Sequence, residues 1–494
     1  MNRIPVLIVG GGLVGLASSL FLARQGVPSL LVDRHPGVSI HGRARGINHR
    51  TMEIYRAYGI ADAVEAAGKP FDAEAGVARC HTLAGEWEWI FDADEPRAWP
   101  DLTAGVFCMA DQNSVEPILI EAARSSSATH RFNTELVSFD ADTDGVTAVI
   151  EDRASGEREV WQADYLVAAD GNRSPIRQRL GIARTGEATF MNSMNIVFRA
   201  DLSAFLPRRA LFWMIFNPGF AGGLVSTADP RRWQATVSYD PAVESEKDFT
   251  VERCVQLVRA AVGREDLAVE IEGVASWQQG VGVAERYRHG RIFLAGDSAH
   301  VWPPAGALGA NTGVQDAHNL AWKLAAVIRG RAGDGLLDTY EAERRTLAAA
   351  LAPMIVRHQQ ARMSGAPEPE EMDGKVQLLG QLYGADTVFA DRLDLPARAG
   401  ARAPHLWLDA AGVHDLFVDE FVLLCDSAEW VDAAAVQSVP VRAYRADHAD
   451  GWAARYGHGA VLVRPDGYVA WRSSAPASAT LLAQALSRAL ATPA

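Results

Sequence analysis

The sequence predicts an α/β protein of several domains, and three observations lead to that prediction. The first is a strand, glycine turn, helix and second strand between residues 6 and 33. The second is a pair of later apolar strands that each deliver an acid next to a glycine, and the third is a series of short β-like runs between residues 191 and 279. At 494 residues the chain is also longer than one ordinary domain of ~100–200 residues.

Composition and charge narrow the possible functions. Hydrophobic residues make up 48% and charged residues 22%, which is typical of a soluble globular protein. The formal net charge of −14 argues against broad binding to nucleic acid or anionic lipid. The four cysteines lie far apart with no C-x-x-C pair, so we expect neither a disulfide scaffold nor a zinc site, and a reducing cytoplasmic location.

One segment has the length of a membrane span. The residues from Ile4 to Ala23 are uncharged, and twenty such residues can cross a bilayer. Four glycines interrupt this run directly after Val9, as expected for a buried strand, a tight turn and a helix. We therefore predict no membrane association.

The first forty residues fit a dinucleotide-binding β-α-β unit. A strand over Val6–Val9 is followed by Gly10-x-Gly12-x-x-Gly15, a helix over Val14–Gln25 that stops at Gly26, and a strand over Ser29–Asp33. Gly10 permits the turn, Gly12 lets the backbone approach a pyrophosphate, and Gly15 brings the helix close to the strand. The helix N-terminus, with Leu13 and Val14, faces the phosphates. Asp33, followed by Arg34, is placed to bind an adenosine ribose, although the motif alone does not distinguish FAD from NAD.

Two further motifs follow apolar strands. Tyr165–Ala169 leads into Asp170-Gly171, and Arg291–Ala295 leads into Gly296-Asp297. Open α/β sheets bind their ligands at such strand ends, and neither motif is expected in an NAD dehydrogenase.

Together, the three motifs resemble those of the single-component, FAD-dependent aromatic hydroxylases, also known as class A flavoprotein monooxygenases. The resemblance covers nearly the whole chain. It implies a Rossmann-like FAD-binding domain of the p-hydroxybenzoate hydroxylase type, in which Asp297 contacts the ribityl chain of FAD. It also places Asp170-Gly171 between the flavin pyrophosphate and the route for NADH or NADPH.

The same resemblance implies roles for residues between the motifs. The segment Gly42–Glu53 resembles the one whose arginine reaches the flavin, and we expect Arg43 there ahead of Arg45 because guanidinium groups pair well with phosphates. A solvated loop charge is the alternative for either arginine. Gln112 is expected on the adenosine side, and Val137 is included among the cofactor contacts.

A glycine-rich loop opens a helix after residue 303. Backbone N–H groups of the loop that follows Pro304, including those of Gly309, Ala310 and Asn311, are expected to stabilise negative charge at the N1/C2 edge of reduced flavin. The family usually has a second glycine where this chain has Ala307, which we expect to narrow the isoalloxazine pocket. We expect Asp316, His318 and Asn319 to be solvated helix positions, because they lack metal-ligand spacing.

An aromatic substrate surface is predicted in the β-rich region. We assign Met191, Trp213, Phe216 and Pro303 as candidate substrate contacts, with ordinary core packing as the alternative. No Ser-His-Asp triad or carboxylate pair is present, so no catalytic side chain is assigned.

The resemblance also implies three domains. They are a discontinuous FAD-binding domain (1–75, 105–182 and 286–394), a substrate-binding β-sheet domain (76–104 and 183–285) and a C-terminal domain (395–494). The last resembles the thioredoxin-like domain of the phenol-hydroxylase and aromatic-polyketide-hydroxylase branch. Without C-x-x-C it is expected to be structural or part of a dimer contact, in a monomer or homodimer.

The implied activity is the NAD(P)H-dependent insertion of one oxygen atom of O₂ into a phenolic or polycyclic aromatic substrate, through a flavin C4a-hydroperoxide. Two alternatives stay open at this point. One is a Baeyer–Villiger oxygenase on the same scaffold, and the other is an FAD protein that sequesters an intermediate without turnover.

Overall fold

The computed structural model describes residues 2–39, 44–71, 76–91, 97–124, 127–206, 210, 212–303, 307–364 and 372–492. Within these ranges the strands in chain order are β1 Asn2–Val9, β2 Ser29–Val32, β3 Gly46–Ile47, β4 Val77–Cys80, β5 Trp87–Phe91, β6 Cys108–Met109, β7 Ala128–Arg131, β8 Thr134–Ala141, β9 Val146–Asp152, β10 Arg158–Ala168, β11 Arg184–Arg199, β12 Phe212–Asn217, β13 Phe220–Ser226, β14 Arg232–Tyr239, β15 Glu270–Ala284, β16 Arg288–His289, β17 Ile292–Leu294, β18 His300–Val301, β19 Trp407–Leu408, β20 Ala411–Gly412, β21 Phe421–Cys425, β22 Val441–Arg445, β23 Ala460–Val463 and β24 Val469–Ser473. The helices are α1 Leu13–Arg24, α2 His49–Ala57, α3 Ala61–Gly68, α4 Gln112–Arg124, α5 Pro175–Arg179, α6 Val251–Val262, α7 Leu308–Ile328, α8 Gly335–Ser364, α9 Gly374–Leu379, α10 Ala428–Ala435, α11 Trp452–Arg455 and α12 Ala479–Ala489.

The first sheet has the strand order β16-β17-β10-β1-β2-β7, with β9 on β10 and β8 on β9. Strand β1 pairs in parallel with β2 and β10, and β10 pairs in parallel with β17. The central strands are continuous apolar runs that are buried on both faces, and Val6, Leu7 and Ile8 are fully buried. This arrangement brings the carboxyl ends of β1, β10 and β17 to one edge.

The uncharged N-terminal segment forms β1, the glycine turn and α1. Helix α1 ends at Arg24 with Gln25 as its C-cap, and Gly26 follows with a left-handed φ of 65°. Among the residues that the structure describes, no helix is both long and apolar enough to cross a membrane.

The second sheet, here called the roof sheet, has the order β18-β15-β11-β14-β13-β12-β4-β5. Helix α6 packs against one of its faces and closes an apolar core that includes Met194, Phe198, Trp213 and Trp233. The opposite face is described with the site below.

The C-terminal region contains a four-stranded sheet in the order β22-β21-β23-β24. Strands β21 and β22 are parallel and separated by α10, whereas β23 and β24 form an antiparallel hairpin that precedes α12. This β-α-β plus hairpin arrangement is thioredoxin-like, as predicted. Its sheet shares a core with Trp322 of α7 and Leu336 of α8, so it packs directly on the helices that support the first sheet. The predicted domain boundaries stay predictions.

Candidate active site

The glycine turn has the geometry that a pyrophosphate-binding loop needs. Gly10 has a φ of 113°, and a Cβ there would lie 2.1 Å from the carbonyl oxygen of Ala169. A Cβ on Gly15 would lie 1.8 Å from the carbonyl oxygen of Gly10, so only glycine lets α1 approach the turn this closely. On Gly12 the nearest atom to an added Cβ is Glu116 Oε1 at 4.0 Å. The turn is therefore packed at Gly10 and Gly15 and open at Gly12, where a phosphate would come.

Asp33 holds the turn from the end of β2. The backbone N–H of Gly11 donates to Asp33 Oδ2 at 2.5 Å, and that of His35 donates to Oδ1 at 2.7 Å. The exposed Arg34 follows, and its carbonyl oxygen accepts from Arg153. Val137, on β8, is exposed. The carboxylate of Asp33 is thus a fixed acceptor for the turn. Its contact with a ribose remains a prediction.

Three segments meet beside Val14 at the start of α1. An added Cβ would lie 2.7 Å from Val14 Cγ2 at Gly296 and 2.5 Å from the same atom at Gly313. The Gly296-Asp297 motif and the start of α7 are thereby packed directly on the glycine turn. Asp297 is exposed at this point, where a ribityl chain could reach it.

Asp316 stabilises this junction through hydrogen bonds, a role that the sequence did not indicate. Its Oδ2 accepts from the backbone N–H of Gly296 at 3.1 Å and lies 2.7 Å from His300 Nε2, while Oδ1 accepts from Arg344 Nε at 2.8 Å. Burial would raise the pKa of Asp316, but His300 and Arg344 outweigh it and hold the pKa below its usual value.

The expectation that Asp316, His318 and Asn319 are solvated was wrong. All three are buried, at 0%, 5% and 2% exposure, because α7 runs between the first sheet and the C-terminal region. The described residues contain no cluster of His, Cys, Asp and Glu suited to a metal ion.

The two acid–glycine motifs are tied together by Arg184. Its guanidinium donates to Asn172 Oδ1 at 2.6 Å and to the carbonyl oxygen of Asp297 at 2.8 Å. Asp170 Oδ2 accepts from the backbone N–H of Ile176 at 3.1 Å, and burial raises the pKa of Asp170. The Asp170 carboxylate thus orders the start of α5 beside the glycine turn.

A cavity opens between α1, β3, α4 and α7. It collects five of the predicted cofactor residues, Leu13, Arg45, Gln112, Ala310 and Asn311. Its lining residues are Leu13, Ala44, Arg45, Gly46, Ile47, Thr51, Tyr55, Ala110, Gln112, Val115, Ala310, Asn311 and Val314. Residues far apart in sequence thus converge on one space beside the glycine turn.

Two of these side chains, those of Asn311 and Arg45, already have hydrogen-bond partners within the protein. Asn311 Oδ1 accepts from the backbone N–H of Asn48 at 3.1 Å, and Asn311 Nδ2 donates to the carbonyl oxygens of Gly46 and Ala307. The Arg45 guanidinium pairs with Asp111 at 2.9 Å and donates to Ser226 of the roof sheet. Arg45 therefore joins the first sheet to the roof, and a phosphate would have to compete with Asp111 for it.

Ala307, at the position where the family usually has a second glycine, lies in the loop before α7. Ala307 has a φ of 52°, a left-handed conformation in which glycine is favoured, and it is followed directly by α7. The first turn of α7 contains no acidic residue and no side-chain cap, so its N–H groups and positive dipole end face the cavity. Arg43 and Pro304 lie outside the described residues, whereas Pro303 is described and buried at the end of β18.

The roof sheet presents one of its two faces toward the first sheet. Alternate residues of β15 share one face of the sheet, namely Trp277, Gln279, Val281 and Val283. Between Gly273 and Ala284 the register shifts insert extra residues into β11 only, so the alternation along β15 is unbroken. Val281 and Val283 belong to the core of the first sheet, so this face points toward it. The register places Met191, Ser193 and Asn195 of β11, Thr236 of β14 and Phe216 of β12 on the same face.

One predicted substrate contact was wrong. Trp213 is fully buried on the opposite face, where its ring packs 5.9 Å from that of Trp233 beneath α6. Strand alternation separates it from its neighbour Phe216, which is 49% exposed. Met191 and Phe216 stay candidate contacts, and Trp213 is a core residue.

Comparison with protein families matches the chain twice. Residues 3–354 match the FAD binding domain model, and residues 397–493 match the aromatic-ring hydroxylase C-terminal model. The chain belongs to the FAD-dependent aromatic-ring hydroxylase family. This result confirms the predicted fold class, the FAD cofactor and the enzyme class.

Individual members of the hydroxylase family are similar over nearly their whole length. A tetracenomycin B2 monooxygenase-dioxygenase of Streptomyces olivaceus is 40% identical, covering 96% of each chain. An aklavinone 12-hydroxylase of Streptomyces purpurascens is 38% identical over 97% of this chain and 96% of the relative. The solved ternary complex of aklavinone-11 hydroxylase with FAD and aklavinone has a TM-score of 0.88 and 36% identity over 99% of both chains.

Proposed function

We propose that this chain is a monooxygenase that uses NADH or NADPH and O₂ to insert one oxygen atom into a phenolic, polycyclic, polyketide-like aromatic substrate. The observation that carries the proposal is the juxtaposition of an open glycine-turn cavity and a roof-sheet face that holds aromatic, thioether and amide side chains. A flat aromatic ring fits between two such surfaces. The polyketide-like class is supported by a relative of Streptomyces halstedii that is described as a putative polyketide hydroxylase and is 43% identical over 97% of this chain.

The chain's residues fit FAD. Gly12 leaves room for the pyrophosphate, the N-terminus of α1 offers N–H groups to it, and Asp297 stands exposed where a ribityl chain would run. When bound, FAD would supply the electrons taken from the nicotinamide and would activate O₂ at its C4a carbon, leaving one oxygen atom for the substrate and one for water.

The protein's part is to position, shield and balance charge. The first turn of α7 would stabilise negative charge at the flavin ring, because its N–H groups have no side-chain cap. Asp316 and Asn311 would keep the surrounding loops in place, and the roof face would orient the substrate and exclude water. No side chain is assigned as a general base. The remaining predicted cofactor contacts, Arg34, Arg43, Val137 and Pro304 among them, are part of this proposal.

The test is the visible spectrum of the purified protein, followed by anaerobic reduction with NADH and with NADPH, each with and without a panel of polycyclic phenols. We expect flavin bands and faster bleaching with one class of phenol. A protein that cannot be reconstituted with FAD would contradict the proposal. Bound flavin that neither nicotinamide reduces would favour the sequestering protein, and lactone or ester products from ketones would favour Baeyer–Villiger chemistry.

A further inference from the structure

The face of the roof sheet that points toward the first sheet carries a row of polar side chains, three of them buried. Ser193 and Asn195 come from β11, and Gln234 and Thr236 come from the paired strand β14, where Asn195 lies opposite Thr236. All lie on the face of Trp277 rather than on the apolar face under α6. A polar row inside an otherwise apolar roof needs a reason, because buried polar groups normally have partners.

The amide of Asn195 is fixed in one orientation. Trp277 Nε1 donates to Asn195 Oδ1 at 2.9 Å, and Thr236 Oγ1 donates to the same atom at 2.8 Å. An indole N–H can only donate, so the atom facing Trp277 must be the carbonyl oxygen. The NH₂ group of Asn195 therefore points away from both partners.

That NH₂ group has unused donors. Asn195 is only 9% exposed, and no acceptor for its Nδ2 is present among the described residues. Two neighbouring polar atoms also lack partners: Ser193 Oγ and Gln234 Oε1 are buried without a hydrogen-bond partner in the described part of the chain. Three unsatisfied polar groups side by side are the pattern expected where a ligand supplies the missing partners.

We propose that Asn195 is a substrate-binding residue whose amide N–H donates to an acceptor oxygen on the substrate ring, a ring carbonyl or a phenolate. This inference rests on the proposed function and adds a specificity-determining contact to it. The hydrogen bond fixes the rotation of the ring beneath the roof, and hence which carbon faces the flavin. Trp277 and Thr236 are positioning residues, because they hold the Asn195 amide in place and act on the substrate only through it.

The test compares Asn195→Asp with a matched control in the holoenzyme. The aspartate keeps an oxygen for Trp277 and Thr236 but replaces the NH₂ donors with a second acceptor. The control is Asn192→Asp, three residues earlier on β11 and on the opposite face, where Oδ1 likewise accepts from a side chain, Gln278 Nε2, at 3.1 Å. Both variants are titrated with aklavinone and with a panel of polycyclic phenols, followed by the flavin absorption change.

We expect Asn195→Asp to raise the Kd of the tightest-binding phenol by about tenfold or more, which is ~1.4 kcal/mol. The fraction of NAD(P)H oxidation that yields product should fall with it, because the ring is no longer fixed. Asn192→Asp should stay within about twofold of wild type in Kd. Methylating the contacted phenol should abolish the difference if the acceptor is a phenolate and leave it if the acceptor is a carbonyl.

Other outcomes separate the two proposals. Equal Kd and coupling for wild type, Asn195→Asp and Asn192→Asp would overturn the role of Asn195 and leave the proposed function intact. Wild-type holoenzyme that neither binds nor oxidises any phenol would overturn both. If Asn195→Asp does not fold, Asn195→Ala decides: it removes the NH₂ donors together with the oxygen, and an unchanged Kd and coupling would overturn the proposal.

Discussion

The glycine-turn cavity and the contact between the C-terminal region and α2 use opposite physical strategies. In the cavity, the backbone is packed closely, and the N-terminal N–H groups of α1 and α7, which have no side-chain cap, are left for a ligand. At the C-terminal contact, charged side chains are buried and paired with one another. We call this second region the junction cluster, and its members are Arg50, Glu53, Lys323, Glu343, Arg402, His414, Arg464 and Asp466.

The junction cluster has two centres. Glu53 accepts from Arg402 Nε at 3.0 Å and from Thr103 Oγ1 at 2.7 Å, and it also pairs with Arg50. Burial would raise the pKa of Glu53, but Arg402, His414 and Arg50 hold it well below its usual value. Glu343, the second centre, lies 2.7 Å from Lys323 Nζ and 2.6 Å from Arg464 Nη1.

Helix α2 connects the two regions. Its cap Asn48 is hydrogen-bonded to Asn311 beside the cavity, and one turn further on Glu53 is bound by Arg402 of the C-terminal region. The comparison shows that the two ends of α2 have different roles: one supports the cavity, and the other anchors the C-terminal region. Substitutions at the cavity should affect ligand affinity with little effect on folding, whereas substitutions at the junction should affect folding first.

The largest effect is expected at Gly12. Its φ of −81° suits any residue and its Cβ direction is open, so Gly12→Leu should fold, yet the side chain would fill the space for the pyrophosphate. We expect FAD affinity to fall by about a hundredfold or more, ~2.7 kcal/mol, measured by titration of the apoprotein. The melting temperature of the apoprotein should match that of wild-type apoprotein. Normal FAD affinity would mean that the pyrophosphate binds elsewhere.

The next largest effect is expected at Glu53. Replacing it in Glu53→Gln leaves two buried guanidinium groups without their carboxylate, which should lower the free energy of unfolding by about 3–5 kcal/mol. Urea denaturation measures this difference. Asp447→Asn, which breaks an exposed pair with Arg445, is the control and should leave the free energy of unfolding nearly unchanged, because solvent screens that pair. A similar loss for both variants would mean that the junction cluster is not a folding element.

His318 gives a pH-dependent comparison. Burial, with Arg50 nearby, lowers the pKa of His318 from the ordinary histidine value of 6.5 to about 3. Between these values the unfolded chain binds a proton that the folded chain does not, so stability is full above pH 6.5 and falls as pH drops. The slope is about 1.4 kcal/mol per pH unit for one histidine. In His318→Phe, stability measured from pH 6.5 to pH 5 should fall less steeply by that amount, and an unchanged slope would contradict the assignment.

The smallest effect is expected at Ala307. Its left-handed φ is unfavourable for alanine, so Ala307→Gly should raise the free energy of unfolding by up to about 1 kcal/mol. The same substitution three residues later, Ala310→Gly, lies in the first turn of α7 and should lower it by about 0.5–1 kcal/mol. Thermal unfolding of both holoproteins tests the opposite signs. Equal signs would mean that the loop conformation does not determine the residue at 307.

The sequence predicted what local motifs determine. The strand, turn and helix around Gly10, Gly12 and Gly15 follow from backbone sterics, and the Pro465–Gly467 hairpin turn follows from turn chemistry. Side-chain direction was harder to predict. Trp213 and Phe216 are three residues apart on one strand, so alternation places them on opposite faces, but only the structure shows which of the two faces is covered by α6.

Long-range partners were beyond local patterns. Asp466 looks like an ordinary turn residue in the sequence, yet its side chain is buried and bonded to Asn319 and Arg464. Asp316 likewise becomes a structural acceptor only because His300, Gly296 and Arg344 converge on it. Asn195 could have been noted as a polar residue in an apolar alternating strand, but its fixed orientation depends on Trp277, which is 82 residues away.

The most direct test of the central claim is the isotopic composition of the product formed under ¹⁸O₂. The FAD-loaded protein is supplied with NADPH or NADH and the phenol that most accelerates flavin bleaching, and the product is analysed by mass spectrometry. We predict one ¹⁸O atom in the hydroxylated ring, with the second oxygen atom released as water. Oxygen derived from solvent, or nicotinamide oxidation that yields only hydrogen peroxide with every phenol, would contradict the assignment as an aromatic hydroxylase.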